Sequence, residues 1–346
     1  MKKLLLLIMG LAVLALAARF LSTVPAVQDR LVARGTATLA QQAATPLPIP
    51  DGLNVYVCGS ASPLGMGQAQ ACIAVVTPEH FYLIDSGAGS TENLGRLRLP
   101  MARLDGLLLT HFHSDHISEI YEVNLGSWVG GREQPITVMG PQGVGEIVEG
   151  INATYNLDRV YRVGHHGADL LAPELGVLQH QSLAAGQTIA DGELRITAYA
   201  AEHPPIEPAL GYRIDYRGRS VVVSGDGNVN AVTRQIVDGA DLLLHDALSL
   251  PFMTTLSKSL ADAGQTRQAQ IVTDVIDYHA STESLVALAN ETNVGMVAFY
   301  HLVPVPPNAI VADIFLRGAP DKVTLTEDLM WFELPADSKD IVIHKP

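Results

Sequence analysis

Three histidines and one aspartate lie within six positions of the segment Thr110–His116, which reads THFHSDH and follows a short apolar run. Imidazole and carboxylate groups are ligands that zinc takes in catalytic sites. Four ligands from one loop cannot easily surround a single ion, because neighbouring side chains point in different directions. His111 and His113 can instead face one ion, while Asp115 and His116 face a second. The segment therefore predicts a two-metal site, which needs further ligands and a bridging carboxylate from elsewhere.

Further metal-competent side chains stand at the ends of apolar runs later in the chain. His203, Asp226 and His301 each follow a segment with the composition of a buried strand. Sheets of α/β proteins gather functional groups beyond the carboxyl ends of their strands. One such residue alone could be a satisfied core or turn residue, but the repeated placement predicts one shared site. His245 and Asp246 end another run, and whether they support this site is left open.

The elements that must position these side chains form two strand-rich halves. Short apolar runs bounded by Gly, Pro and Ser are typical of strands, and segments with helical periodicity lie between and after them. Two such halves with flanking helices predict a four-layer αββα sandwich, with the boundary between the halves near residues 170–185. The predicted strands are Asn54–Cys58, Cys72–Val76, Phe81–Ile84, Leu107–Leu109, Ile136–Met139, Leu194–Ala200, Leu210–Tyr216, Ser220–Ser224, Leu242–His245 and Met296–Tyr300, and two predicted helices are Thr266–Tyr278 and Thr282–Thr292.

Residues 1–21 have the order of a secretory signal, in which positive charge precedes an apolar run and small residues. Lys2 and Lys3 come before the uncharged run 4–18, which ends in alanines. A membrane span needs ~20 apolar residues, and continuation of the run to Leu21 leaves an anchor open beside a cleaved signal. We expect export, either as a free periplasmic protein or as one anchored to the membrane and facing the periplasm.

The rest of the chain is interpreted as a linker followed by one domain. Residues 22–52 combine a predicted short helix, Gln28–Gln42, with the Pro-rich stretch Thr45–Pro50. Residues 53–346 contain every candidate ligand. The chain of 346 residues with 48% apolar content is long enough to bury a substantial core in this domain.

The two cysteines of the chain, Cys58 and Cys72, each lie at the edge of a predicted strand. An oxidising compartment favours a disulfide bond between them. Two buried thiols that pack as small apolar groups are equally consistent with the sequence.

The charge balance of the chain is acidic. Lys and Arg number 22 against 36 Asp and Glu, which gives a formal net charge of −14. A protein that binds a phosphate backbone needs a basic surface. The sequence therefore predicts a small-molecule ester as substrate and disfavours a long nucleic acid, while membrane contact through the N-terminal segment and homo-oligomers stay open.

The chain resembles the metallo-β-lactamase-fold hydrolases, through the HxHxDH motif at 111–116 and the sequence LIDSGAG around Asp85. Within that superfamily it is most similar to the ribonuclease Z-like and arylsulfatase-like phosphodiesterase branch. The resemblance implies an αββα sandwich with a dinuclear zinc centre, and a role for Asp85 in steadying the ligand loop. It implies a first zinc held by His111, His113 and His203, a second held by Asp115, His116 and His301, and Asp226 as the bridging ligand.

A further match concerns His279 in the sequence YHAST. Ribonuclease Z-like members carry a histidine there, ahead of the last ligand, that contacts the scissile phosphate or the leaving group. The resemblance implies that His279 contacts phosphate or acts as general acid, work that suits imidazole near neutral pH. The alternative is a histidine at a helix C-terminus, where the helix dipole favours a positive charge.

The chain also departs from ribonuclease Z. That enzyme has a long arm that grips transfer RNA between the ligands corresponding to His203 and Asp226, whereas only two strands and a turn fit here. Together with the acidic charge and the export signal, this departure argues against transfer RNA processing.

The sequence therefore predicts an exported dinuclear zinc hydrolase that cleaves small phosphodiester or sulfate ester substrates through a metal-bridging hydroxide, which zinc generates near neutral pH. Asp115 could orient the nucleophile in addition to binding metal. Manganese or iron in place of zinc stays open. The alternative function is hydrolysis of carboxylic esters or lactones at the same metal centre.

Overall fold

The computed structural model describes residues 2–44, 48–64 and 67–346. The chain divides into two compact units, residues 1–48 and residues 49–346.

The first unit consists of two helices, α1 (Lys2–Leu21) and α2 (Pro25–Ala44). The helix predicted in the linker lies within α2, which begins earlier and ends later than predicted. Part of the predicted Pro-rich stretch, residues 45–47, lies outside the described residues. No single helix in the described part of the chain is long and apolar enough to span a membrane, although Leu6–Leu21 and Pro25–Gln41 pass that test together as a pair bent by 85°.

The second unit is built from two sheets and the helices that connect their strands. Its strands are β1 (Gly52–Gly59), β2 (Cys72–Val76), β3 (Phe81–Ile84), β4 (Gly106–Leu108), β5 (Thr137–Gly140), β6 (Gln179–Ser182), β7 (Thr188–Asp191), β8 (Leu194–His203), β9 (Ile206–Tyr216), β10 (Arg219–Val223), β11 (Leu242–Leu248), β12 (Met296–Val303), β13 (Val323–Leu325), β14 (Trp331–Pro335) and β15 (Val342–His344). Its α-helices are α3 (Ser90–Arg96), α4 (Ser114–Ile117), α5 (Ile120–Val129), α6 (Val144–Thr154), α7 (Asn156–His166), α8 (Ala231–Val237), α9 (Leu250–Asp262), α10 (Thr266–Val275), α11 (Thr282–Glu291) and α12 (Ala309–Phe315), and 3₁₀ turns form at Met101–Arg103, Pro173–Gly176 and Ile276–Tyr278.

Each sheet combines an antiparallel part with a parallel part. Among the described residues, the first sheet has the order β15-β14-β1-β2-β3-β4-β5-β6 and the second the order β13-β12-β11-β10-β9-β8-β7. Strands β3 to β6 run parallel in the first sheet, as do β10 to β13 in the second. The carboxyl ends of parallel neighbours meet at one edge of a sheet, so the loops after β4, β10, β11 and β12 can contribute to a common site.

The alternation of side chains along the strands separates three apolar layers. In β1, Leu53, Val55 and Val57 pack in the core between the sheets, whereas Tyr56 and Cys58 point to the outer face covered by helices. Helices α3, α5 and α6 cover the first sheet, and α8, α11 and α12 cover the second. The predicted four-layer αββα sandwich is confirmed.

The division into an N-terminal and a C-terminal half is only approximate. The chain passes from the first sheet to the second between Ser182 and Thr188, at and beyond the end of the predicted boundary. Strands β14 and β15 then return to the first sheet, where β14 pairs antiparallel with β1. The free edge of β1 is therefore covered by the end of the chain.

Cys58 and Cys72 form a disulfide bond, and their Cα atoms are 5.0 Å apart. Antiparallel pairing of β1 with β2 brings the two residues together, because Gly59 lies opposite Cys72. Of the two alternatives that the sequence left open, the structure has the disulfide.

Candidate metal centre

The seven candidate ligands lie together, at or just beyond the ends of strands of both sheets; His203 and His301, which were predicted to follow their strands, lie within β8 and β12. Each of the seven except His113 is buried. His111 and His113 are in the loop after β4, Asp115 and His116 are in the single-turn helix α4, His203 is the last residue of β8, Asp226 is in the loop after β10, and His301 lies near the end of β12.

The first group of ligands consists of His111, His113, His203 and Asp226, whose donor atoms all lie within 4.8 Å of one another. Nε2 of His111 is 3.0 Å from Nδ1 of His113, which is 3.5 Å from Nε2 of His203. Nδ1 of His203 lies 3.0 Å from the carbonyl oxygen of Tyr278, which fixes the ring with Nε2 towards the group.

The second group consists of Asp115, His116, His301 and the same Asp226. Nε2 of His301 lies 3.0 Å from Oδ2 of Asp115, and Nε2 of His116 lies 3.5 Å from that oxygen. Oδ2 of Asp226 is 3.3 Å from Nε2 of His116, 3.4 Å from Nε2 of His301 and 3.9 Å from Nε2 of His111. One carboxylate therefore faces both groups, which is the position that a bridging ligand requires.

The donor atoms of these groups suit a pair of divalent cations. Nε2 of His116 and Oδ1 of Asp226 are buried and have no hydrogen-bond partner among the described residues. A buried polar atom without a partner costs about 1–3 kcal/mol, and a bound cation satisfies both atoms. Burial lowers the pKa of His111 well below its usual value, and a positive charge on His116 would lower it further, so the His111 ring is neutral and able to bind a metal ion.

His116 behaves differently because carboxylates surround it. Burial alone would lower its pKa, but Asp226 and Asp85 outweigh burial and raise the pKa well above its usual value. A metal ion that binds His116 must displace the proton from its ring. Metal affinity should therefore fall as the pH is lowered.

Strained backbone accompanies the site. Asp85 and His301 have φ angles of 59° and 42°, in the left-handed region that residues other than glycine rarely adopt. Asp226 lies between two glycines, and a Cβ at Gly225 would approach Cβ of Thr110 to 2.7 Å, while one at Gly227 would approach the carbonyl oxygen of Glu202 to the same distance. The two glycines that flank Asp226 are therefore required for it to reach the histidines.

Asp85 connects the ligand loop to the first sheet. Its carboxylate accepts hydrogen bonds from the backbone N–H and the hydroxyl group of Thr110, both at 2.8 Å, and lies 2.8 Å from Nδ1 of His116. Partners of this kind set the tautomer and orientation of a metal-binding imidazole. Asp85 thus holds His116 with Nε2 towards Asp226.

His279 lies beside the two ligand groups, directly after the 3₁₀ turn Ile276–Tyr278. Its Nδ1 is 2.8 Å from Oδ2 of Asp246 and 3.9 Å from Oδ2 of Asp226. Although burial disfavours a charge on Asp246, close contacts with His245 and His279 lower its pKa, so it is a carboxylate that accepts from Nδ1. Nε2 of His279 is then the atom left for a substrate.

The sequence left open whether Asp246 supports this site, and the structure places it there. It lies in β11, in the parallel part of the second sheet, and it also accepts a hydrogen bond of 3.2 Å from the backbone N–H of Ala280. The strand-end pattern that identified the other residues was the available signal for Asp246. What the sequence could not show is that His279 lies next to it.

A family model and curated relatives match most of this chain. A family model described as the β-lactamase superfamily domain matches residues 80–302. The chain is 32% identical over 256 residues to a ribonuclease Z of Mycobacterium bovis (strain BCG / Pasteur 1173P2), a match that covers 73% of this chain and 86% of the relative.

Two solved structures have the same fold. A diphosphatase from the PhnP family superposes with a TM-score of 0.59 at 15% identity, and the short form of human tRNase Z with 0.56 at 18% identity. Each match covers 82% of this chain and 99% of the other chain. At these identities the likeness shows the fold alone.

The chain belongs to the β-lactamase superfamily, in the ribonuclease Z-like branch of its metallo-β-lactamase-fold members. The resemblance inferred from the motifs at Asp85 and 111–116 is thereby confirmed. The protein is a metal-dependent hydrolase of this fold.

The prediction that disfavoured a long nucleic acid as partner is wrong. Relatives that are about as identical to this chain as the Mycobacterium bovis protein, over most of its length, bear the name ribonuclease Z. A tRNase Z has the same fold. Net charge is a sum over the whole molecule, whereas a phosphodiester meets only the surface around the site, where bound metal ions would supply positive charge. The short connection through β9 and β10 between His203 and Asp226 is likewise only one part of the protein surface, so its length does not decide whether a nucleic acid binds.

Proposed function

We propose that the protein is a phosphodiesterase with two zinc ions, held by His111, His113 and His203 on one side and by Asp115, His116 and His301 on the other, with Asp226 between them. The observation that carries this proposal is the position of Asp226, whose Oδ2 lies 3.3–3.9 Å from one histidine of the first group and two of the second. Ligands of this type and number are those that zinc takes in hydrolases. Manganese and iron are alternatives that elemental analysis separates.

Two zinc ions at this site would supply an activated water and neutralise charge on the group that is transferred. Oδ2 of Asp115 lies 3.0 Å from Nε2 of His301, so the two side chains would share one ion, and we assign the Asp115 carboxylate the further role of orienting the activated water. His279 is held by Asp246 through Nδ1, so a proton on Nε2 is the one available to a departing oxygen.

The name ribonuclease Z of the curated relatives supports a phosphodiester, including one in RNA, as the bond that is cleaved. Sulfate esters, carboxylic esters and lactones were also predicted from the sequence. No contact in the described part of the site favours them, so they serve as competing outcomes of the test.

The test offers the zinc-loaded protein a transfer RNA precursor, bis-p-nitrophenyl phosphate, p-nitrophenyl sulfate, p-nitrophenyl acetate and an acyl-homoserine lactone. We expect turnover of a phosphodiester, in RNA or in the small diester, and loss of that turnover after treatment with a chelator. Turnover of the sulfate, acetate or lactone without any phosphodiester cleavage would overturn the proposed reaction. Rates that a chelator leaves unchanged would overturn the metal centre.

We propose further that the protein is exported. The charged and apolar order of residues 2–21 and the Cys58–Cys72 disulfide support this proposal, since disulfides persist in oxidising compartments. A fusion of residues 1–52 to alkaline phosphatase, which is active only after export, should give active phosphatase in cells. A fusion in which Leu7 and Leu11 are both replaced by Arg is the control and should be inactive. An inactive wild-type fusion would show that the segment is not an export signal.

A further inference from the structure

His301 occupies a distorted position in its strand. In the pairing of β11 with β12, Asp246 lies opposite Tyr300 and Ala247 lies opposite Leu302, which leaves His301 as an extra residue. Such a bulge redirects a side chain, and the φ angle of 42° at His301 is one that a residue adopts only when its surroundings hold it. The orientation of this ligand therefore depends on what fixes the backbone next to it.

The backbone after His301 is bound to a segment from the other sheet, residues 60–62. The N–H of Leu302 donates to the carbonyl oxygen of Ser60 at 3.0 Å. The hydroxyl group of Ser62 donates to the carbonyl oxygen of Leu302 at 2.8 Å, and the N–H of Ser62 approaches that oxygen to 3.4 Å. Both polar groups of Leu302 thus depend on the 60–62 segment.

Asp328, in the turn before β14, holds the 60–62 segment. Its Oδ1 accepts from the N–H of Ser60 at 3.0 Å and lies 2.8 Å from the Ser60 hydroxyl, whose single hydrogen it shares with Oε1 of Gln68 at 2.6 Å. Its Oδ2 accepts from the N–H of Ala69 at 2.7 Å and from Nδ2 of Asn93 at 2.8 Å. The N–H of Ala61 in turn donates to the carbonyl oxygen of Ala69 at 2.9 Å. The Asp328 carboxylate therefore joins Ser60 and Ala69, which lie between β1 and β2, to Asn93 of α3.

These contacts also show what the 60–62 segment does not offer. The N–H groups of Ser60, Ala61 and Ser62 are directed to Asp328, Ala69 and Leu302, respectively. They are not free to bind a phosphate group. The 60–62 segment instead connects Asp328 to the backbone near the end of β12.

We propose that Asp328 is a positioning residue that sets the orientation of His301 through the 60–62 segment, and thereby the affinity of the second metal ion. The consequence for the metal rests on the proposed function, whereas the effect on the backbone does not. In Asp328→Asn, an amide N–H₂ replaces one oxygen and opposes either the N–H and hydroxyl groups of Ser60 or the N–H groups of Ala69 and Asn93. The hydrogen bonds of one side are lost with little change in volume.

The experiment compares wild type with Asp328→Asn, Ser62→Ala and Asp241→Asn. Ser62→Ala removes only the hydrogen bond from the Ser62 hydroxyl group to the carbonyl oxygen of Leu302. Asp241→Asn is the control for loss of a buried carboxylate away from the site, because Asp241 accepts from the N–H of Ser220 at 2.8 Å, lies 3.3 Å from Nε of the buried Arg219 and precedes β11 at the end away from Asp246. Thermal unfolding of each variant is measured alongside, because removing the partner of a buried arginine lowers the stability of the fold. Amide hydrogen exchange is measured on metal-free protein, and zinc affinity is then measured by competition with a chromophoric chelator.

We expect exchange at Leu302 to be about 10-fold faster in Asp328→Asn, and one of the two zinc ions to bind about 10–100-fold more weakly while the other is unaffected. Ser62→Ala should show the same pattern with smaller changes, and Asp241→Asn should match wild type at Leu302 and in both zinc affinities. Unchanged exchange at Leu302 in both site variants would overturn the proposal. If Asp328→Asn exchanges faster throughout the domain, the Leu302 amide in Ser62→Ala decides. If wild type binds fewer than two zinc ions, the proposed function fails, and the Leu302 result still decides whether Asp328 positions His301.

Discussion

Replacing Asp226 by Asn should remove at least one of the two metal ions from the purified protein and lower phosphodiester hydrolysis by about 10²–10⁴-fold. The reason is that Oδ2 of Asp226 lies within 4 Å of His111, His116 and His301. Loss of one partner from a buried ionic cluster costs about 3–5 kcal/mol. An amide that carries no charge cannot hold two cations close together.

The measurement is elemental analysis together with steady-state kinetics on the same preparation. Asp241→Asn makes the same chemical change at a buried carboxylate that pairs with Arg219 outside the site. It should lower the stability of the fold, but it should keep both ions and full activity at temperatures where the variant is folded. Asp226→Asn protein that retained two tightly bound ions would show that Asp226 does not bridge them.

Replacing His279 by Ala should lower phosphodiester turnover by about 10²–10⁴-fold, the usual contribution of a general acid or base, and should leave metal content at the wild-type level. His279 is held by Asp246 rather than by a histidine of either ligand group. The loss should appear in kcat for a substrate with a poor leaving group and be much smaller for bis-p-nitrophenyl phosphate, whose leaving group needs little protonation.

His180→Ala is the control, because His180 is an exposed residue of the edge strand β6. Asp226, Asp246 and His279 also lie close enough together to hold a cation. If His279→Ala lost zinc, His279 would be a ligand and its assignment to the substrate would be wrong.

The sequence was sufficient for the strands that are buried on both faces. Runs such as Cys72–Val76 and Phe81–Ile84 are apolar throughout, and the structure forms strands with these same bounds. By contrast, β6 consists of exposed polar residues, and β7 is also largely exposed, so neither carries an apolar signal. The return of β14 to the first sheet depends on pairing with β1, a long-range contact that local composition does not encode.

For the site, the sequence identified residue types and strand ends, and the fold supplied the distances. The spacing within Thr110–His116 was informative because a short loop limits which ligands can face one ion. The disulfide stayed open, since it depends on the pairing of β1 with β2. The proposed role of Asp328 could not be predicted from the sequence, because its partners Ser60, Ala69 and Asn93 are far away in the chain.

Elemental analysis of protein purified without added metal tests whether one buried aspartate and six flanking side chains retain a pair of cations. We predict two equivalents of zinc, manganese or iron per chain after exhaustive dialysis, and fewer than two in Asp226→Asn. One equivalent or none in the wild-type protein, with no uptake of a second ion on titration, would contradict this prediction.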